Sequence, residues 1–172
     1  MNLPAHIEKE NRRPLDRIAY AIATGAGAGF APIAPGTLGA IEGVGLFLAA
    51  LALQLSARDF LLLLAALNIF IYSVGVWAST RTCEMCGLED PRQVVIDEVS
   101  GQMIALTPLA FAPSVMGVIA AFVLFRLFDI FKPYPIRKLE RLHGGFGVMT
   151  DDALAGLYAT ALVWLGIQSG LF

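Results

Sequence analysis

Charge is what this sequence has least of. Only 15% of its 172 residues are Asp, Glu, Lys or Arg, against about 25% in an ordinary soluble domain. Cysteine is nearly absent as well: Cys83 and Cys86 are the two present, which leaves no disulfide framework. By itself the Cys83-x-x-Cys86 pair cannot complete a four-ligand zinc site. The two histidines, His6 and His143, give imidazole catalysis little to draw on; His6 lies in a polar tail and His143 reads as a loop residue before Gly144-Gly145. A net charge of −2 supplies no basic surface for nucleic acid. Residues 1–17 are polar, with no short apolar core and small-residue cleavage site, so no cleavable signal peptide is expected. The glycine-rich stretch Gly25–Gly39 contains neither G-x-G-x-x-G nor a Walker fingerprint.

What remains is apolar. Hydrophobic residues make up 57% of the chain and the mean hydropathy is +0.70, which places it in the membrane class. The composition and length predict an all-α membrane helical bundle forming one domain over residues 1–172, with 1–17 as a polar cytoplasmic tail. Three spanning helices are expected, at about Thr37–Leu55, Phe60–Ser79 and Ala153–Gly170. A shorter helix over about Leu15–Ala28 precedes an irregular Gly/Pro loop.

The run Val99–Phe125 decides the topology. As one helix its 27 residues would extend roughly 40 Å, beyond the roughly 30 Å hydrocarbon core. Pro108 and Pro113 interrupt it, and Ser114 is placed to cap a new helix. It therefore reads as a hairpin with arms near Val94–Leu106 and Ser114–Ile130. Charge supports that reading. With the N-terminus inside, segments 1–17, 79–98 and 126–152 are cytoplasmic and hold 11 of the 12 Lys and Arg residues, leaving Arg58 outside. The hairpin brings the Gly/Pro loop, Asp97-Glu98, the Arg126–Lys132 cluster and Asp151-Asp152 to one membrane face.

Ionisable groups at the ends of membrane helices are costly and often mark function. Asp97, Glu98, Asp129, Asp151 and Asp152 are the candidate catalytic and metal-holding residues, since clustered carboxylates suit a hard cation such as Mg²⁺ shared with a substrate phosphate. Asp151-Asp152 are expected at the start of the last helix, where the dipole favours carboxylates. Arg126, three residues from Asp129 and so on the same helical face, is a candidate phosphate-binding cation together with Lys132 and Arg137. Lys132-Pro133-Tyr134-Pro135 forms a stiff stretch that holds Lys132 near the headgroup level. Gly36 and Thr37, in the glycine-rich loop, are further substrate-binding candidates through backbone N–H groups; the competing reading of that loop is close packing through small residues. A thiol mechanism finds little support. Cys86 and Arg92 have the Cys-x5-Arg spacing, but Glu89 and Asp90 between them would repel the phosphate.

At these motifs the sequence resembles the phosphatidylglycerophosphatase A family. The resemblance rests on Pro32–Gly39, on Asp90 with Val94-Val95-Ile96-Asp97-Glu98 and Gly101, on Phe125–Arg137, and on His143–Met149 with Asp151-Asp152 and Ala155-Gly156. It implies a Mg²⁺-dependent, multi-pass enzyme of the bacterial inner membrane, with its active site facing the cytoplasm. Such an enzyme converts phosphatidylglycerophosphate to phosphatidylglycerol and phosphate in phospholipid biosynthesis. It also implies that Asp97, Glu98, Arg126, Asp129, Lys132, Asp151 and Asp152 occupy the family's motif positions. Water and an aspartate both remain open as the attacking group. The rival reading is a small membrane transporter or cation-conducting protein, which would need charged stations through the depth of the helices; the acidic groups instead gather at one edge.

Overall fold

A computed structural model describes residues 14–139 and 142–172. The tail cations Lys9, Arg12 and Arg13, the tail residue His6, and Arg141 lie outside the described residues. Among those described, every regular element is helical. In chain order they are α1 (Pro14–Ala23), a 3-10 segment (Gly25–Phe30), α2 (Pro35–Leu51), α3 (Ala57–Cys86), α4 (Ile96–Ala105), a 3-10 turn (Thr107–Ala110), α5 (Val115–Phe131), the single turn α6 (Ile136–Leu139) and α7 (Gly145–Gln168).

Among the described residues two helices are long and apolar enough to cross a bilayer: α3, 30 residues with a mean hydropathy of 2.1 over its most apolar 18, and α7, 24 residues with 1.2 over the same length. The expected third span is corrected. The segment read as Thr37–Leu55 forms the 17-residue helix α2, about 25 Å long at 1.5 Å per residue. Pro35 opens it in the first turn, and Gln54 beyond its end has a positive φ of 51°. Helix α1 also stops sooner than expected, at Ala23, because Gly25 turns to φ +54° and Ala26 and Gly27 leave helical geometry.

The hairpin is present. Helix α4 ends at Ala105, Pro108 sits in the 3-10 turn that follows, and α5 begins after Ser114, whose Oγ accepts the Gly117 N–H at 3.0 Å. The cap satisfies one of the N–H groups that a helix start leaves without an intrahelical partner.

The two arms occupy different layers. Helix α4 lies inside the bundle, chiefly against α7 and α2, with Val99, Ser100, Gly101, Gln102, Met103 and Ala105 buried. Glycine allows this depth. A β-carbon at Gly39 of α2 would stand 2.6 Å from the Val95 carbonyl oxygen. One at Gly156 of α7 would run into the Gly101 carbonyl, and one at Gly101 would stand 2.6 Å from that of Asp152. Backbones meeting this closely bring α4 within van der Waals reach on two sides, the packing mode favoured where helices associate in lipid. Helix α5 buries only Gly117, Ala121 and Phe125. Its Val115, Met116, Ile119, Val123, Leu127 and Ile130 are exposed, a stripe at spacings of three and four that faces outward. With Leu62, Ile69 and Phe70 of α3 also exposed, large apolar side chains of two helices face outward, as they do where a protein meets lipid or a partner.

Helix α7 begins eight residues before the expected Ala153. Gly144 at φ +64° starts it, and Gly145 packs so tightly on α3 that its N–H reaches the Thr80 Oγ1 at 3.0 Å. Asp151 and Asp152 are thus in the second turn of α7 rather than at its first, and the expectation that they meet the helix's positive end is corrected. Tyr72 of α3 and Thr150 of α7 share a hydrogen bond of 2.7 Å just before them.

Candidate active site

The N-terminal turns of α4 and α2, the C-terminal turn of α5 and the second turn of α7 enclose one cavity of about 490 Å³. Its lining includes Asp90, Asp97, Glu98, Asp129, Asp151 and Asp152, with Arg92, Arg126 and Lys132. All five carboxylates singled out in the sequence are brought together, although Asp97 and Asp152 are separated by more than fifty positions. The cavity also takes in Ala34, Pro35 and Gly36 at the start of α2.

The carboxylates divide into two kinds. Arg126 Nη1 pairs with Asp129 Oδ2 one turn on, and stands 3.8 Å from Glu98 Oε1. Lys132 Nζ donates to Asp151 Oδ2 at 2.6 Å, and Asp151 Oδ1 accepts the Asp152 N–H at 3.0 Å. Asp97, Glu98 and Asp152 differ. Asp97 Oδ1, Glu98 Oε2 and Asp152 Oδ2 are buried with no hydrogen-bond partner, and one oxygen from each lies within 4.8 Å of the other two. Burial raises the Asp97 carboxyl well above the usual range, with the charges of Glu98 and Asp152 adding to the effect. Burial likewise brings Glu98 to about 7, although its hydrogen bond with Asp97 and the charge of Arg126 oppose the rise. Buried oxygens without donors are expensive, and a hard cation with oxygen preference relieves all three together. The donor set therefore fits a metal ion.

Charge bookkeeping across the lining points the same way. Among the described residues six carboxylates face three cations, so an incoming phosphomonoester, itself about −1.5 to −2 at neutral pH, meets a wall short of positive charge.

Local backbone serves these positions. Lys132 closes α5 in the left-handed region, at φ 43° and ψ 64°, with its N–H on the Phe128 carbonyl. Beyond it the Tyr134–Pro135 bond is cis, and the Tyr158 hydroxyl donates to the Tyr134 carbonyl at 3.2 Å. Ala34 is also left-handed, at φ 48°, and turns the chain into α2. A β-carbon on Gly36 would overlap Glu98 Oε1, so the bare glycine leaves the room that this carboxylate fills.

Two of the expected substrate-binding residues lie elsewhere. Thr37 is not in the cavity lining, because the helix that starts at Pro35 turns it away. Arg137 sits on α6 past the bend at Pro133, exposed, with its Nη2 donating to the Phe131 carbonyl at 3.3 Å. His143 is exposed and outside the cavity. At Gly29 the glycine-rich loop serves packing: a β-carbon there would collide with the Gln93 backbone. Cys83 and Cys86 are free thiols, and Cys83 Sγ donates to the Glu89 carbonyl at 3.1 Å. One lining cation, Arg92, was missed as a substrate-binding candidate. It belongs to the loop before α4, where no helical periodicity signals an inward position; its place two residues after Asp90 was the available clue.

The sequence model of the phosphatidylglycerophosphatase A family matches residues 21–167, a span that contains every residue lining the cavity. The chain belongs to the phosphatidylglycerophosphatase A family. Proteins named phosphatidylglycerophosphatase A from Haemophilus influenzae and Escherichia coli are 37% and 32% identical to it. Those alignments cover 88% and 94% of this chain, and 93% and 91% of the relatives. A Bacteroides thetaiotaomicron protein named "Putative phosphatidylinositol-3-phosphatase" is 44% identical over 83% of this chain and 89% of its own length. No solved structure matches the chain. As a member of this family the chain is a phosphatase, a phosphoric monoester hydrolase, and its two apolar helices together with the family point to a membrane protein.

Proposed function

We propose that this phosphatidylglycerophosphatase A family member hydrolyses phosphatidylglycerophosphate to phosphatidylglycerol and inorganic phosphate in a Mg²⁺-dependent reaction that serves phospholipid biosynthesis. The chain acts as one domain over residues 1–172 in the bacterial inner membrane, crossing it more than once, with the cavity on the cytoplasmic side. The observation that carries this reading is the trio of donorless buried oxygens on Asp97, Glu98 and Asp152, set in a cavity beside an apolar exterior. Acyl chains remain among the outward apolar residues while the phosphomonoester enters the cavity. Asp97, Glu98 and Asp152 would hold the cation, which when bound would offset phosphate charge and polarise the phosphoryl group.

Asp129 and Asp151 have another task. Each holds a cation in the cavity wall: Asp129 the Arg126 guanidinium and Asp151 the Lys132 ammonium. Fixed donors of this kind need no reorganisation as charge builds on the phosphate oxygens. Arg126 and Lys132 then donate to those oxygens, sharing their charge with the carboxylates that position them. Gly36 keeps the wall open at Glu98.

Phosphate release from phosphatidylglycerophosphate by the purified chain in detergent micelles tests the reading. Release should stop on chelation and return with added Mg²⁺; a full rate in chelator would remove the carboxylate–metal chemistry. A second substrate is favoured by the Bacteroides relative's name. Phosphatidylinositol 3-phosphate also presents a monoester on a lipid headgroup, and faster release from it than from phosphatidylglycerophosphate would reassign the substrate while keeping the site.

A further inference from the structure

Of the three cations that line the cavity among the described residues, two are matched: Arg126 by Asp129 and Glu98, Lys132 by Asp151. Arg92 is not. Among the described residues no carboxylate comes within ion-pair distance of its guanidinium. Its Nη2 makes one hydrogen bond, to the Pro32 carbonyl at 3.1 Å. A guanidinium carries five N–H donors in a fork that fits two phosphate oxygens, so most of that capacity is open to a ligand.

Position gives the spare capacity a meaning. Asp152 and Asp151, at 2% and 5% exposure, form the buried floor of the cavity, whereas Arg92 is exposed at its rim. Ile33, next to the Pro32 that Arg92 grips, is 83% exposed, and Ile130, itself part of the cavity lining, is 65% exposed. An unmatched cation therefore stands between an acidic floor and an apolar lip. A lipid whose terminal monoester reaches the floor must pass its headgroup through this zone. In phosphatidylglycerophosphate the group between the terminal monoester and the acyl chains is a phosphodiester, which carries one negative charge. Phosphatidic acid has a monoester and no second phosphate.

Resting on the function proposed above, we infer that Arg92 binds the internal phosphodiester of the substrate. It thereby makes the enzyme selective for lipids that carry both a diester and a monoester phosphate over lipids with a monoester alone. Arg92 is a specificity residue, and its contribution falls on binding rather than on the chemical step.

Steady-state kinetics of the full chain in mixed micelles, with phosphatidylglycerophosphate and phosphatidic acid as parallel substrates, test this. Arg92→Gln keeps an amide donor for the Pro32 carbonyl and removes the charge; Arg92→Lys keeps the charge and loses the fork. The wild type should prefer phosphatidylglycerophosphate. Arg92→Gln should raise KM for that lipid roughly 10- to 100-fold, the scale of a charged hydrogen bond, while KM for phosphatidic acid moves far less, so that the preference collapses. Arg92→Lys should keep part of it. An equal loss on both lipids would mean that Arg92 serves the loop or the monoester, and unchanged KM values on both would mean that it serves neither; each result overturns the proposal. A wild type that ignores phosphatidylglycerophosphate sinks the parent reading instead. The same comparison then runs with phosphatidylinositol 3-phosphate, which also carries both kinds of phosphate, and a preference for phosphatidic acid over it overturns the Arg92 assignment.

Discussion

The two arms of the hairpin reach the same cavity by opposite means. Helix α4 is ten residues long and buried, pressed between glycine-bearing faces of α2 and α7. Helix α5 is seventeen residues long and turns half of its apolar side chains outward. The inner arm brings Asp97 and Glu98, with donorless oxygens; the outer arm brings Arg126 and Asp129, which form an ion pair with each other and leave the buried Arg126 Nε without a hydrogen-bond partner. Rigidity and donorless carboxylate oxygens go together on one arm, exposure and an internal ion pair on the other. An unsatisfied carboxylate on a loosely held helix would find water or a cation by moving. Between close-packed backbones it cannot, and the demand stays directed at whatever enters the cavity.

The largest effect should come from disturbing the inner arm's packing. Gly156→Leu places a side chain against the Gly101 backbone, where nothing flexible can give way. Little folded, monodisperse protein should be recovered from detergent extracts, and a well-behaved variant with normal turnover would refute the close α4–α7 contact. Next in size are the donorless carboxylates. Asp97→Asn and Asp152→Asn should each lower kcat by at least about 10²-fold, as loss of a main charge-stabilising group does, and should raise the Mg²⁺ concentration needed for half-maximal rate. The outer arm should be more forgiving. Asp129→Asn leaves the Arg126 guanidinium in place but less firmly held, and a loss of about tenfold, corresponding to about 1.4 kcal/mol, is expected, with the Mg²⁺ requirement little moved. If Asp129→Asn shifts metal dependence as far as Asp97→Asn, the division of labour between the arms is wrong. The smallest change should follow from Ile119→Ala on the exposed stripe. It should alter stability by no more than about 0.5 kcal/mol, read as a small shift in thermal midpoint in detergent, with activity intact.

The inner and outer arms were both legible in the sequence because prolines and a serine cap write a chain reversal in local chemistry. Pro108, Pro113 and Ser114 act within a few residues of themselves, and the meeting of Asp97 with Asp129 follows from the reversal they cause. The start of α7 was not legible. His143-Gly144-Gly145-Phe146-Gly147 has the composition of a loop, yet Gly145 is helical because α3 comes close enough to hold its N–H on Thr80. Tertiary approach of that kind leaves no trace in local propensity. The same limit explains Thr37, which shares a motif with Gly36 and is carried off the cavity by a helix that starts two residues earlier. Arg137 follows a bend whose direction four residues of sequence do not state. Arg92 lay in a loop, where one cation looks like any other until its neighbours are known.

Lys132 ends α5 with a positive φ, a setting in which a residue without a β-carbon would rest more easily. A glycine there would close the helix equally well and relieve an expense of about 1 kcal/mol or more. What glycine could not do is carry an ammonium group to Asp151. The end of α5 thus exchanges local conformational comfort for reach, and a glycine that calmed this turn would leave Asp151 without its ammonium partner.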